Sequence, residues 1–253
     1  MTTQIRAILF DKDGTLIDFR ATWLPAYAAI VREVFGADDD LVHRLLKAGG
    51  YDISSGEIDP TSVLAAGTNR EIAAVWAGIV GHDDVAALAR DVNDRFIAHA
   101  RRTMVAVTDL PELFRRLRGR GLCLGVATND SEAALHEQLK QLGIDDLVEF
   151  ACGFDSGHGA KPGPGMVEAF ARALGLPASA IAVVGDSLHD LEMARAAGAG
   201  FTIGVLTGAS PHATLAPHAD RVLASIAELE AALTALPQPV SPPVPSTSGS
   251  STR

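Results

Sequence analysis

The chain has 253 residues, a formal net charge of −10 and an isoelectric point near 5.2. That balance argues against a nucleic-acid binder, which carries a basic patch or stripe, but not against a phosphate-binding protein, because a few placed cations and a metal overcome an acidic background. Its two cysteines, Cys123 and Cys152, lack metal-ligand spacing, which argues against zinc and a disulfide framework and fits a reducing, cytoplasmic setting.

Hydrophobic residues make up 47% of the chain and aromatics only 5%, so the core must be built mainly from Ala, Val, Leu and Ile. No apolar run approaches the roughly 20 residues of a membrane span. The N-terminal "MTTQIRAILFDKD" is cut off by charge too soon for a signal peptide. No nucleic-acid or membrane partner is therefore expected, and the oligomeric state is left open.

Taken in chain order, "IRAILF" reads as a short buried strand that runs into Asp11, Lys12, Asp13 and Gly14. From Asp18 to Arg102 the pattern changes. "TWLPAYAAIVREVFG", "DDDLVHRLLKAGG", "NREIAAVWAGIVG" and "DDVAALARDVNDRFIAHARR" have the spacing of amphipathic helices, with no strand among them. Asp38–Asp40 reads as a helix start, and Trp23, Trp76 and Phe96 as core. Alternation follows. "DLPELFRRLRGRG", "SEAALHEQLKQLG", "PGMVEAFARALG" and "SLHDLEMARAAGA" are helices; "LCLGVATN", "VEFACG", "IAVVGD" and "FTIGVLTG" are strands. "RVLASI" adds a last strand and "IAELEAALTAL" a last helix.

This order predicts an α/β fold, a parallel sheet covered by helices on both faces. The core comprises residues 1–17 and 103–236, with a helical insert at 18–102 after the first strand. The Pro- and Ser-rich "PQPVSPPVPSTSGSSTR" at 237–253 reads as a disordered tail.

Sites in open α/β sheets form at the carboxyl ends of strands. Four predicted strands deliver short polar groups there: Asp11 and Asp13; Thr128, Asn129 and Asp130; Lys161, in "DSGHGAKPGPG"; and Asp186, followed by Ser187, His189 and Asp190. A carboxylate is repelled by a phosphate dianion unless a hard cation intervenes, and Mg²⁺ is held by one or two carboxylates plus waters and substrate phosphate. Asp11 and Asp186 supply such carboxylates, and a lysine neutralises further charge. Residues 11 and 13 of an extended segment point to one side, so one acid is free to attack phosphorus while the other moves protons. Gly14 lets the backbone turn sharply behind them.

"DKDGT", "GVATND", "AKPGP" and "GDSLHD", in this order, resemble the four motifs of the haloacid dehalogenase superfamily of phosphohydrolases over residues 5 to about 208. The insert resembles the helical cap of its phosphoglycolate-phosphatase-like members. The resemblance implies a three-layer Rossmann-like core with an all-helical cap. It implies Asp11 as nucleophile and metal ligand, and Asp13 as general acid/base with its backbone carbonyl on the metal. Thr128 and Asn129 would hold the transferring phosphoryl group and Lys161 would bridge it to Asp11. Asp186 would complete the Mg²⁺ site, with Asp190 supporting it or orienting Lys161. Lys12 would point away from the site and carry no catalytic role.

Aspartate at position 13 favours phosphate transfer over dehalogenation, since halide leaves without a proton. Gly185 before Asp186 argues mildly against the mutase branch, which often has glutamate there. The expected activity is Mg²⁺-dependent hydrolysis of a small phosphorylated metabolite, with 2-phosphoglycolate in the lead. Alternatives are phosphosugars or nucleoside monophosphates, then a phosphosugar mutase. The reading from another class is a phosphate-responsive binding protein without turnover. In the insert, the polar "GEIDPTSVLAAGTNREIA" offers Thr68, Asn69 and Arg70 to the site, with Lys47 and Tyr51 nearby; Arg70 suits a second anionic group.

Overall fold

A computed structural model describes residues 4–234; the tail expected at 237–253 lies outside them. Strand β1 (Ala7–Phe10) has all four residues buried. Ile8 and Phe10 enter one hydrophobic cluster, Ala7 and Leu9 another. The period of two thus places apolar side chains on both faces, as an inner strand of a covered parallel sheet requires.

The insert follows: α1 (Phe19–Phe35), α2 (Asp39–Ala48), β2 (Tyr51–Asp52), β3 (Glu57–Ile58), α3 (Val63–Ala66), α4 (Asn69–Val80) and α5 (Val85–Thr103). Asp18, Asp38, Thr68 and Asp84 each accept a backbone N–H of the first turn that follows them. Asp38–Asp40 is a helix start as expected. The expectation of an all-helical insert needs correction. Tyr51 pairs with Ile58 and Asp52 with Glu57 in a short antiparallel ladder. The Asp52 side chain accepts the Ser54 N–H at 2.9 Å and Gly56 takes φ +73°, which together reverse the chain. Two paired residues per strand are too few to show alternation in the sequence.

These helices share a hydrophobic cluster of their own that includes Trp23, Tyr27, Leu45, Trp76 and Phe96. Trp76 is fully buried, and its indole N–H donates to the Leu45 carbonyl at 3.0 Å.

The rest alternates as predicted, with one short unpredicted helix, α10: α6 (Leu110–Gly119), β4 (Cys123–Ala127), α7 (Glu132–Gln141), β5 (Phe150–Cys152), α8 (Gly165–Leu174), β6 (Ile181–Gly185), α9 (Leu188–Ala197), β7 (Phe201–Val205), α10 (His212–Leu215), β8 (Arg221–Leu223) and α11 (Leu229–Thr234). The six-stranded sheet runs β5-β4-β1-β6-β7-β8, with every pairing parallel. Phe114 of α6 stacks on Phe10 from one face, and Phe170 of α8 joins Leu9 on the other. Strand β1 sits between β4 and β6, and Phe10 is level with Val126 and Val184. The residues just past these three strands therefore meet at one height, at the point where strand order reverses.

Trp76→Ala is expected to cost about 3–5 kcal/mol of unfolding free energy in a urea titration. A loss below about 1 kcal/mol would mean that the insert's own cluster contributes little to stability.

Candidate active site

Asp11 is the first residue past β1, and its N–H still donates to the Val184 carbonyl at 2.8 Å. Its Oδ1 accepts the Lys161 ammonium at 2.6 Å. Its Oδ2 is buried without a hydrogen-bond partner among the described residues. Lys161 stands in the loop before α8, where its N–H donates to Asn129 Oδ1 at 2.8 Å. Its ammonium also reaches Asp190 Oδ1 at 2.6 Å. Asp190 lies in the first turn of α9, and its Oδ2 accepts the Ser187 N–H at 3.2 Å and the Ser187 hydroxyl at 2.6 Å. Asp186 follows β6, and its Oδ2 accepts the Ala209 N–H at 3.1 Å.

Three carboxylates thus crowd a buried space in which one ammonium bonds to two of them. Burial pushes the Asp11 carboxyl from its ordinary 3.8 up to about 7, against the downward pull of Lys161. Burial raises Asp186 well above the usual carboxylate range too, helped by repulsion from Asp11 and Asp190. Burial works against a charged Lys161, but Asp11 and Asp190 outweigh it and hold the ammonium above its ordinary pKa.

Oxygens of Asp11, Asp186 and Asp190 lie within 4.8 Å of one another. Both oxygens of Asp190 already accept hydrogen bonds, which makes it a support for Lys161 rather than the better ligand. The unpartnered Asp11 Oδ2 and the Asp186 carboxylate are hard oxygen donors in a site short of positive charge, and they fit a hard divalent cation. Glycines make room for this arrangement. Gly14 has φ +85°, and a Cβ there would stand 2.6 Å from Asp186 Cγ. A Cβ on Gly208 would stand 1.7 Å from Asp186 Oδ2. Nothing in the sequence marked Gly208, because its constraint comes from a residue 22 positions away.

A cavity of about 80 Å³ opens over these groups, lined also by Asp13, Thr128, Asn129 and His189. The Thr128 hydroxyl accepts the Asp130 N–H at 3.1 Å. The Asn129 side chain is committed to its surroundings: besides holding Lys161 it donates to the Ala66 carbonyl at 3.1 Å. His189 is half-buried and bonds through Nδ1 to the same carbonyl at 3.1 Å, whereas His158 stacks on Phe150 away from the cavity.

Arg70, expected as a substrate contact, is exposed and does not line the cavity. Helix α4 starts at Asn69, which does line it, and one residue further on the helix has rotated Arg70 outward. Lys47 and Tyr51 do not line it either; Tyr51 packs against Tyr27 instead. Lys12 does not line the cavity either. It is fully buried and bonds to the Asp13 carboxylate at 2.7 Å and to Asp130 at 3.1 Å. The two acids outweigh the effect of burial and keep its pKa above the ordinary value. Trp23 is core as expected, but it lines the cavity too and donates its indole N–H to Asp13 Oδ1 at 2.7 Å.

Residues 5–198 match the family model of haloacid dehalogenase-like hydrolases. The chain is 32% identical over 233 residues to the phosphoglycolate phosphatase of Yersinia pestis, covering 89% of this chain and 91% of that one. It is 26% identical over 195 residues to the N-acetylmuramic acid 6-phosphate phosphatase of Pseudomonas aeruginosa, covering 77% and 79%. Among solved structures it is similar to CbbY from Rhodobacter sphaeroides in complex with phosphate, with TM-score 0.66, 23% identity and coverage of 89% and 96%. That last likeness speaks for the fold alone. The parallel sheet, covered by helices on both faces and with acids at its switch point, is a three-layer α/β fold with its site at the strand ends. The chain belongs to the haloacid dehalogenase-like hydrolases.

Because Asp11 is raised to about 7, ionising it in the folded chain costs free energy that the unfolded chain does not lose. Its contribution to stability is full below about 4 and is lost as pH rises through about 7. A cation that binds the ionised form reverses this. The gain in Tm on adding Mg²⁺ is expected to be larger at pH 8 than at pH 5, measured by thermal scans with and without Mg²⁺. Gly208→Ala is expected to weaken Mg²⁺ binding about 10-fold or more by calorimetry, about 1.4 kcal/mol, while the chain still melts cooperatively.

Proposed function

We propose that this phosphoric monoester hydrolase depends on Mg²⁺ and works through a phosphoryl group carried on Asp11. The observation that carries the reading is the Asp11 carboxylate, with one oxygen on the Lys161 ammonium and the other unpartnered beside Asp186. Asp11, the Asp13 carbonyl and Asp186 would hold Mg²⁺, which would supply the positive charge that lets a carboxylate approach a phosphate dianion. Asp11 attacks phosphorus, and the P–O bond to the leaving group breaks. Asp13 gives a proton to the leaving oxygen and later takes one from the water that hydrolyses the aspartyl-phosphate. Lys161 and Thr128 hold the equatorial phosphoryl oxygens, and Asn129 keeps the Lys161 loop in place. Asp190 orients the ammonium.

The substrate is a small phosphorylated metabolite, and the relatives' names make 2-phosphoglycolate the first one to try. A specific observation favours a second reading, a phosphosugar or another ester with an uncharged leaving group. The insert's share of the cavity wall is largely apolar: Phe19, Trp23, Leu64, Ile72 and Phe96. Lys161 is the one lysine or arginine among the lining residues, and it is engaged by two acids. A glycolate carboxylate would meet no free ammonium or guanidinium there. Among the described residues no single helix is long and apolar enough to cross a membrane. Both cysteines are free, and burial pushes the Cys152 thiol up to about 12, which keeps it unreactive.

The test is phosphate release from 2-phosphoglycolate, phosphosugars and nucleoside monophosphates, with and without Mg²⁺. Release should require Mg²⁺ and vanish in Asp11→Asn. Asp13→Asn should lower kcat by about 10²–10⁴-fold while leaving Mg²⁺ binding in place. Retained turnover in Asp11→Asn would remove the nucleophile. Absence of release from every ester would favour a binding protein without turnover.

A further inference from the structure

Lys12 is a charge the fold has no packing reason to bury. It lies inside the protein at 0% exposure, where an apolar side chain of similar length would fill the same space. Its ammonium lies 2.7 Å from Asp13 Oδ2, 3.1 Å from Asp130 Oδ2, against the Gln138 side-chain oxygen, and 5.8 Å from the Trp23 ring centroid. The other oxygen of Asp13, Oδ1, accepts the Trp23 indole N–H at 2.7 Å. Both oxygens of one carboxylate are therefore held, one from the core and one from α1 of the insert.

The network extends further. Asp130 Oδ1 accepts from Asn69 of α4 at 3.0 Å and from the Ser131 N–H at 2.8 Å. Asn69 also donates to Asn93 of α5 at 3.0 Å, and Asn93 accepts the Ser131 hydroxyl at 2.8 Å. Lys12 thus joins Asp13 to a set of polar contacts between insert and core.

We propose that Lys12 and Trp23 are positioning residues that clamp Asp13 in the orientation for proton transfer, Lys12 from the core and Trp23 from the insert. This rests on Asp13 acting as the acid/base of the proposed hydrolysis. In that step the bond from phosphorus to the leaving oxygen breaks as its electron pair takes the proton from Asp13. Asp13 is left as a carboxylate and regains a proton from the attacking water. Neither Lys12 nor Trp23 exchanges a proton with substrate. Their contribution is orientation, which a freely rotating carboxyl would have to find anew in each turnover.

A leaving-group comparison separates this role from a merely structural one. An alkyl phosphate needs its leaving oxygen protonated; p-nitrophenyl phosphate releases a stable phenolate and does not. The readout is kcat/KM for the best alkyl ester divided by kcat/KM for p-nitrophenyl phosphate, in the wild type, Lys12→Met and Trp23→Phe. Each substitution is expected to lower this ratio about 10-fold or more, part of the 10²–10⁴-fold that a general acid supplies. An unchanged ratio, whether both esters slow together or neither does, overturns the proposal. Trp23→Phe keeps the aromatic body, so it decides the matter should Lys12→Met fail to melt cooperatively. A wild type that hydrolyses neither ester defeats the hydrolase reading itself, a result distinct from an unchanged ratio.

Discussion

The arrangement depends on one buried ammonium facing more negative charge than it can balance. Lys161 is 5% exposed and holds Asp11 and Asp190, while Asp186 stands within reach of both acids. Taking these carboxylates out of water costs free energy, and their attraction to one lysine does not offset it. The surrounding structure maintains the imbalance. The register of β1 with β6 sets Asp11 and Asp186 side by side, Asn129 fixes the backbone of Lys161, and the first turn of α9 orients Asp190. A compact positive charge would relieve this imbalance, which is what the proposed Mg²⁺ would supply.

Apolar packing keeps that imbalance intact. Ile8 and Phe10 pack toward one helical layer and Ala7 and Leu9 toward the other, so β1 has no freedom to slide. A shift of one residue would exchange the faces and carry Asp11 out of line with Asp186. Gly14 and Gly208 add a steric constraint at the same place, since a methyl group at either would occupy the space of the Asp186 carboxylate. Precision here comes from close packing around short side chains rather than from many hydrogen bonds.

The insert has two physical tasks. Its aromatic residues form a core, with Trp23 and Phe96 meeting edge to face at 5.4 Å and Tyr27 and Phe96 at 6.0 Å. Several of the same residues also wall the cavity over the acids. Excluding water there strengthens every charge interaction below. In the proposed reaction the leaving group would meet this wall and the phosphoryl group would meet the core. Fold and motif therefore carry the reaction further than they carry the substrate.

The sequence by itself determined the alternation of strands and helices, the place of the insert, and the candidate site residues Asp11, Asp13, Thr128, Lys161 and Asp186. These are legible because burial on both faces leaves continuous apolar runs, and each run ends abruptly where the polar site begins. Only the tertiary structure decided which residues stand around those five. Lys12, Trp23 and Gly208 reach the site through contacts between segments distant in the chain, and Arg70 leaves it because α4 begins one residue earlier. The β2–β3 ladder was hidden for a related reason, since two paired residues have no period to read. Local patterns report which face of an element is buried; they do not report what it is buried against.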